Sequence, residues 1–293
     1  MNPSQYDVQT PGLCSDVDDS GRRCKEESIT KSFEILQKDF VQVLKIILHQ
    51  RSQASLVPRH IDSEKGQFKV YSAGALAPPL RDTIAIFEKE SEVKCDLRIG
   101  KPEDLLKEIA KFKKGDIFSS GAEYILDDAE DRGLIIKGSR KSLGYRRSVI
   151  IVPVGNPAKI ASLKDLCRKA VRIGIAVEGC LKDLWDDVAS KAGLTDQIRR
   201  NITHHADACG SLMSLIHSDK VDAIFGWNAF QGVWPDTCEI IELPQNLQVF
   251  RSTVAGIISY CKNVKLSEKF IDFLTSPAIR KIYAGYGWIH EHK

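Results

Sequence analysis

At 293 residues, with 43% hydrophobic and 28% charged residues, the chain is long enough for two lobes with sizeable cores and has an ordinary globular composition. A net charge of +3 and the lack of a Lys/Arg block argue against nucleic acid as a partner. No apolar run approaches the roughly 18–20 residues of a membrane span. Eight cysteines, at 14, 24, 95, 167, 180, 209, 238 and 261, form no CxxC pair, so neither a zinc signature nor a disulfide scaffold is expected.

Residues 1–27, rich in Asp, Ser, Gln and Gly, read as a loose or disordered tail. They lack the basic start and apolar core of an export signal. That leaves two expectations: a cytoplasmic protein, or a chain without its exporting segment. Residues 28–54 read as one helix, with Ile29, Phe33, Leu36, Phe40, Val43 and Ile47 on a heptad-like stripe. Packing on its own protein is the simplest use of that stripe; a homodimer through it is the alternative. Residues 55–66, with Pro58, Ser63 and Gly66, read as a linker.

From residue 67 on, strands and helices alternate, which predicts an α/β architecture. Strands are expected at 68–72, 93–99, 116–118, 148–154, 171–177, 202–205, 223–226, 239–243 and 249–260. Helices are expected at 80–90, from 102 to 112, at 122–132, 163–170, from 180 to 192, and at 212–218, 267–275 and 277–283. Several strands end at a turn of small residues that opens a helix: 72–76, 100–103, 119–122, 178–181, 207–211 and 226–229. In open α/β sheets ligands bind at the carboxyl ends of strands. Helix N-termini gathered there offer free N–H groups and partial positive charge, which suits a small anion.

Several stretches, in this order and spacing, carry a family resemblance. They are VYSAGALAPPL (70–80), GDIFSSGAEYILDDAEDRGLI (115–135), RRSVIIVPVGNP (146–157), SLKDL (162–166), VRIGIAVEGC (171–180), VDAIFGWNA (221–229) and SEKFIDFLTSPAIRKIYAGYGW (267–288). From about residue 68 to 290 the chain resembles the periplasmic molybdate- and tungstate-binding proteins and the wider extracellular solute-binding family of ABC importers. The resemblance implies a two-lobed type II periplasmic-binding-protein fold with two crossover hinge strands, here preceded by the N-terminal helix. Lobe 1 is expected to comprise 67–147 and 255–293, and lobe 2 148–254. It also implies closure on a small anion and an ABC permease as partner, with no cofactor.

Where the molybdate binders hold the oxyanion with a serine in the first turn, this chain has Ala75. Their second serine falls near Pro102–Glu103, beside Lys101, and a late-strand tyrosine corresponds to Phe225. The expected ligand-binding set is therefore Ser72, Ala73, Gly74, Ala75, Gly100, Lys101, Ser119, Ser120, Gly179, Cys180, Cys209, Gly210, Ser211, Trp227 and Asn228. Trp227 is open to two readings, a ring stacked on ligand or a core aromatic. Cys180 and Cys209, both at expected helix openings, are also open to a redox or soft-metal reading beside the bland one of small residues in tight turns. No Ser/His/Asp set, carboxylate pair or P-loop stands at readable spacing, so an enzyme is not expected. A ligand sensor that keeps the binding domain and dimerises through 28–54 is the alternative function.

Overall fold

The computed structural model describes residues 67–290. The tail, the 28–54 helix with its dimerising stripe, and the linker lie outside the described residues. The molecule is organised by β1 (Phe68–Ala73), whose residues are buried at every position but Lys69. β2 (Cys95–Gly100) and β3 (Ile117–Ser120) both pair with it in parallel. A parallel central strand covered on both faces has to read as a near-continuous run of small and apolar residues, as FKVYSA does.

The next helices start and stop as their sequences dictate. α1 (Ala77–Ser91) carries Pro in its first turn, where a missing N–H costs nothing, and ends at Glu92 in the left-handed region, φ 58°. α2 (Pro102–Phe112) opens with Pro102, Glu103 and Asp104, favourable at the positive end of the helix, and buries Leu105, Leu106 and Ile109. α3 (Glu123–Asp131) follows β3 directly.

β4 (Lys141–Pro153) joins the two halves of the sheet. Its first part, to Arg147, pairs antiparallel with β9 (Phe250–Ile257), with Arg146 opposite Arg251. Its second part pairs with β7 (Ala223–Trp227) and β8 (Cys238–Ile241), with Ser148 opposite Trp227. β5 (Ile173–Ala176) lies parallel to β7 and to β6 (Ile202–Ala206). The path across the nine-stranded sheet is β2-β1-β3-β9-β4-β7-β5-β6, with β8 alongside β4.

Helices α4 (Leu184–Lys191), α5 (Thr195–Arg199), α6 (Cys209–His217) and α7 (Phe230–Val233) serve the β4–β8 half. α8 (Val264–Leu274) and α9 (Pro277–Gly285) return to the other half, where Phe270 packs edge-on against Phe68 and Phe87 at 5.2 and 4.8 Å. A second core cluster runs from Leu105 and Phe118 through residues 149–152 to Ile173 and Ile224, and so crosses from one half to the other. No helix among the described residues is long and apolar enough to cross a membrane.

Three local expectations change. The helix expected at 163–170 is a 3-10 turn, Leu163–Cys167, and the chain turns left-handed at Ala170, φ 73°. The helix expected from 180 breaks into a 3-10 turn, Gly179–Leu181, and α4, because Asp183 adopts φ 60° between them. β4 begins seven residues before the expected 148. Its leading segment KSLGYRR is too polar to read as a strand, yet β9 supplies its backbone partners.

Candidate functional site

Strand register brings the turns together. Ala73 lies opposite Gly100, Ser72 opposite Ser119, and Ala176 opposite Ala206, so the connections that follow these strands emerge side by side. They enclose a cavity of about 310 Å³, lined by residues 73–76, 100–102, Gly121, 179–180, 207–210 and Trp234. α2 and α6 each start at its edge, and the first N–H groups of a helix have no intrahelical acceptor. Gly121 is required by the close approach of the far wall. A Cβ there would lie 2.5 Å from Arg146 Nη2 and 3.0 Å from Cys180 Cβ.

Of the expected set, Ala73, Gly74, Ala75, Gly100, Lys101, Gly179, Cys180, Cys209 and Gly210 line this cavity. The other six stand off it. Ser72 is fully buried and donates to Ala73 O at 3.2 Å. Ser119 and Ser120, buried just before Gly121, have hydroxyls without a hydrogen-bond partner among the described residues. Ser211 donates to Asp207 Oδ1 at 2.9 Å. Asn228 accepts the Arg147 N–H at 2.9 Å and donates to Gly287 O at 2.6 Å, which ties β7 to β4 and to the turn after α9. Trp227 is 0% exposed and forms part of the wall behind the cavity.

The two halves touch across the opening. Lys101 Nζ pairs with Asp207, and Tyr124 donates to Gly179 O. The Gly179 N–H reaches Glu103 Oε1 at 3.3 Å, and Arg251 donates to Cys180 O at 2.9 Å while pairing with Asp187 at 2.6 Å. The hydrogen bond from Lys101 holds Asp207 below the usual carboxylate range, and the same bond raises Lys101. These contacts bridge the two sides of the cavity.

Arg146 was not in the expected set, and it is the most unusual charge at the site. It is 0% exposed. One guanidinium nitrogen donates to Gly121 O, and another lies 3.5 Å from Cys180 Sγ. Its Nε has no acceptor, and its plane sits 4.9 Å from the Trp227 ring centre and 5.8 Å from that of Trp288. No carboxylate pairs with it among the described residues. A buried cation without an anionic partner is expensive. Here the neighbour best able to become an anion is Cys180. Its Sγ lies 3.5 Å from Cys209 Sγ and accepts from the Trp227 indole N–H at 3.4 Å. The hydrogen bond from Cys209, helped by the Arg146 charge and the indole N–H, draws the Cys180 thiol well below its ordinary range. The same contact, followed by burial, pushes Cys209 well up.

A larger, more open groove of about 590 Å³ lies beside Pro153, Arg168, Arg172 and Asp222. Two of its charges are engaged with each other: Arg172 grips Asp222 with contacts of 2.7 and 3.2 Å. The smaller cavity between the turns is the functional candidate.

The family model described as bacterial extracellular solute-binding protein matches residues 68–289. Among solved structures, PEB3 with bound L-phospholactate is similar with a TM-score of 0.69 and 25% identity, covering 77% of this chain and 100% of that one. Peb3 from Campylobacter jejuni gives 0.67 at 25% identity, over 77% and 100% of the two chains. The periplasmic molybdate-binding protein of Azotobacter vinelandii gives 0.63 at 18% identity, again over 77% and 100%. These neighbours place the fold among the type II periplasmic binding proteins. No curated protein matches the chain by sequence.

Proposed function

We propose that this chain, which belongs to the family of bacterial extracellular solute-binding proteins, closes its two lobes on a small oxyanion in the cavity between the strand-to-helix turns. The observation that carries the reading is the buried Arg146, which pairs with no carboxylate among the described residues, directly behind Gly121 and Cys180. The N–H groups opening α2 and α6 add donors of the same sign. β4 and β9 bend at the crossing between the lobes, 67–147 with 255–293 on one side and 148–254 on the other. The closed form, bridged by Lys101–Asp207, is what the permease of an ABC importer reads. Ligand shifts the open–closed balance because only the closed form contacts it from both sides.

The class includes tetrahedral ions such as molybdate and tungstate. A volume of about 310 Å³ is about ten water volumes and lies at the small end of organic-ligand pockets. It suits a small carboxylic acid bearing a phosphate or sulfate group better than a bare ion. That PEB3 is solved with L-phospholactate supports the same class. A thermal-shift series with phospholactate, phosphate, sulfate, molybdate and tungstate tests this. A ligand at 100 times its dissociation constant adds about 2.7 kcal/mol of stability. A shift with the phosphorylated acid above that with any inorganic ion supports the reading. No shift with any anion sinks it.

Binding is also expected to depend on pH. A Cys180 thiolate repels an incoming anion, and a protonated thiol does not. Affinity therefore rises as pH falls through the lowered Cys180 pKa, because the bound anion favours the protonated form. Calorimetric affinities for sulfate, whose own charge is constant between pH 5 and 9, should rise toward low pH in the parent and not in Cys180→Ser. An affinity flat with pH in both proteins refutes the coupling.

A further inference from the structure

We infer that Cys180 and Cys209 form a dithiol modification site on the floor of the cleft, which reacts with a small aliphatic disulfide to give a reversible Cys180–Cys209 disulfide. The inference goes beyond the oxyanion reading, and only its effect on affinity rests on that reading.

Geometry carries it. The two sulfurs lie 3.5 Å apart, and about 1.5 Å of approach makes a disulfide bond. Both cysteines line the cavity, Cys180 buried and Cys209 half-buried. They are neighbours because β5 and β6 run in parallel with Ala176 opposite Ala206, and each cysteine follows its strand end by three or four residues. The other described cysteines stand apart from this pair: Cys95, Cys167, Cys238 and Cys261 have no sulfur partner in hydrogen-bond contact.

A second, independent feature points to an anionic sulfur. Arg146 is buried with one nitrogen on Cys180 Sγ and its Nε without any acceptor, and the Trp227 indole donates to the same sulfur. The groups facing Cys180 from the surrounding elements are Arg146 on β4, Arg251 on β9, Trp227 on β7, Cys209 on α6, and Tyr124 and Glu103 at the rim. Cations and donors dominate that list, and Glu103 accepts from the Gly179 N–H rather than contacting the sulfur. A thiolate is the nucleophile in exchange, and a neighbouring thiol is the resolving group.

The steps balance. The Cys180 thiolate attacks one sulfur of the small disulfide, forming a mixed disulfide and expelling one small thiolate. Cys209 then gives up its proton and attacks Cys180 Sγ, expelling the second small thiolate. The protein loses one proton, from Cys209, and two electrons, and the small disulfide becomes one thiol and one thiolate, which takes its proton from water. The product removes the negative charge beside Arg146. The floor of the cleft becomes more positive by one unit, so oxidation strengthens anion binding on the order of tenfold.

The test treats the full chain with bis(2-hydroxyethyl) disulfide and maps peptides by mass spectrometry. Expected is a peptide linking Cys180 to Cys209, lost again on adding dithiothreitol. In Cys209→Ser the reaction is expected to stop at a hydroxyethyl-thiol adduct on Cys180. Failure of both the link and the Cys180 adduct, while surface thiols react, overturns the proposal. So does a mixed disulfide that persists on Cys180 when Cys209 is present. Anion affinity is then measured on the reduced and linked forms. A link formed in a protein that shifts with no anion leaves the dithiol site standing and removes the oxyanion reading.

Discussion

Arg146→Met is expected to lower oxyanion affinity by about 30- to 150-fold while leaving the melting temperature close to the parent's or above it. The binding loss follows from Coulomb's law. With Cys180 protonated in the bound form, a guanidinium roughly 6–8 Å from a bound anion, at an effective dielectric of about 20, contributes about 2–3 kcal/mol. Nothing else in the wall replaces it, because Lys101 is held by Asp207 and Arg251 by Asp187. The stability argument runs the other way. Burying a lone cation costs several kcal/mol, and a side chain of similar length without charge avoids that cost. Cys180 takes a proton when its cation leaves, so no orphan charge remains. What is lost is the bond to Gly121 O, about 1–3 kcal/mol if left unmade. The two effects offset to within about 2 kcal/mol, or roughly 4–8 °C. Calorimetry for affinity and thermal denaturation for stability separate them. A protein that melts much lower but still binds would show that Arg146 is a structural residue.

Much of the architecture was legible because it rests on local signals. VYSAGALAPPL carries a buried strand, a turn of small residues and a proline-opened helix within eleven residues, and each part appears where its chemistry requires. The cavity lining at 73–75, 100–101, 179–180 and 209–210 was readable for the same reason: small residues after strands sit at the carboxyl edge of a sheet. The burial of Arg146 was not readable. Its strand segment is polar, and its burial comes from Trp227, Trp288 and Cys180, which lie 81, 142 and 34 positions away in the chain. The Cys180–Cys209 contact was hidden in the same way until the β5–β6 register set their offsets. Asp207 escaped because its role depends on Lys101 across the cleft. Long-range juxtaposition decides charge at this site, and single-sequence patterns report only neighbours along the chain.

The first turn itself shows that difference. Ala75 lines the cavity and gives no side-chain donor, while Ser72 spends its hydroxyl on Ala73 O. The turn supplies shape and backbone, and the charge comes from β4. On the proposed oxyanion reading, specificity would be set by the opposite wall, where Gly121, Cys180 and Arg146 meet.

Trp227→Ala is the change expected to cost most stability. The indole is 0% exposed and is paired through its backbone with Ser148 at the point where β4 passes from one half of the sheet to the other. Two guanidinium groups, of Arg146 and Arg251, lie 4.9 and 5.9 Å from its ring centre. Removing a fully buried Trp costs about 3–5 kcal/mol, which for a domain of this size lowers the melting temperature by roughly 6–20 °C. Part of that loss comes from the cation–π contacts, each worth about 2 kcal/mol when desolvated. Trp227→Phe keeps most of the packing but removes the pyrrole ring and with it the N–H to Cys180 Sγ. Its cost should stay below about 1.5 kcal/mol, but Cys180 should lose acidity, seen as slower alkylation by iodoacetamide at neutral pH. The pair of variants distinguishes the two readings of this residue. If Trp227→Ala melts like the parent and merely stops binding, the ring is a ligand-stacking surface. A large drop in melting temperature, with Trp227→Phe still binding, makes it the wall that holds Arg146 and Cys180 in place.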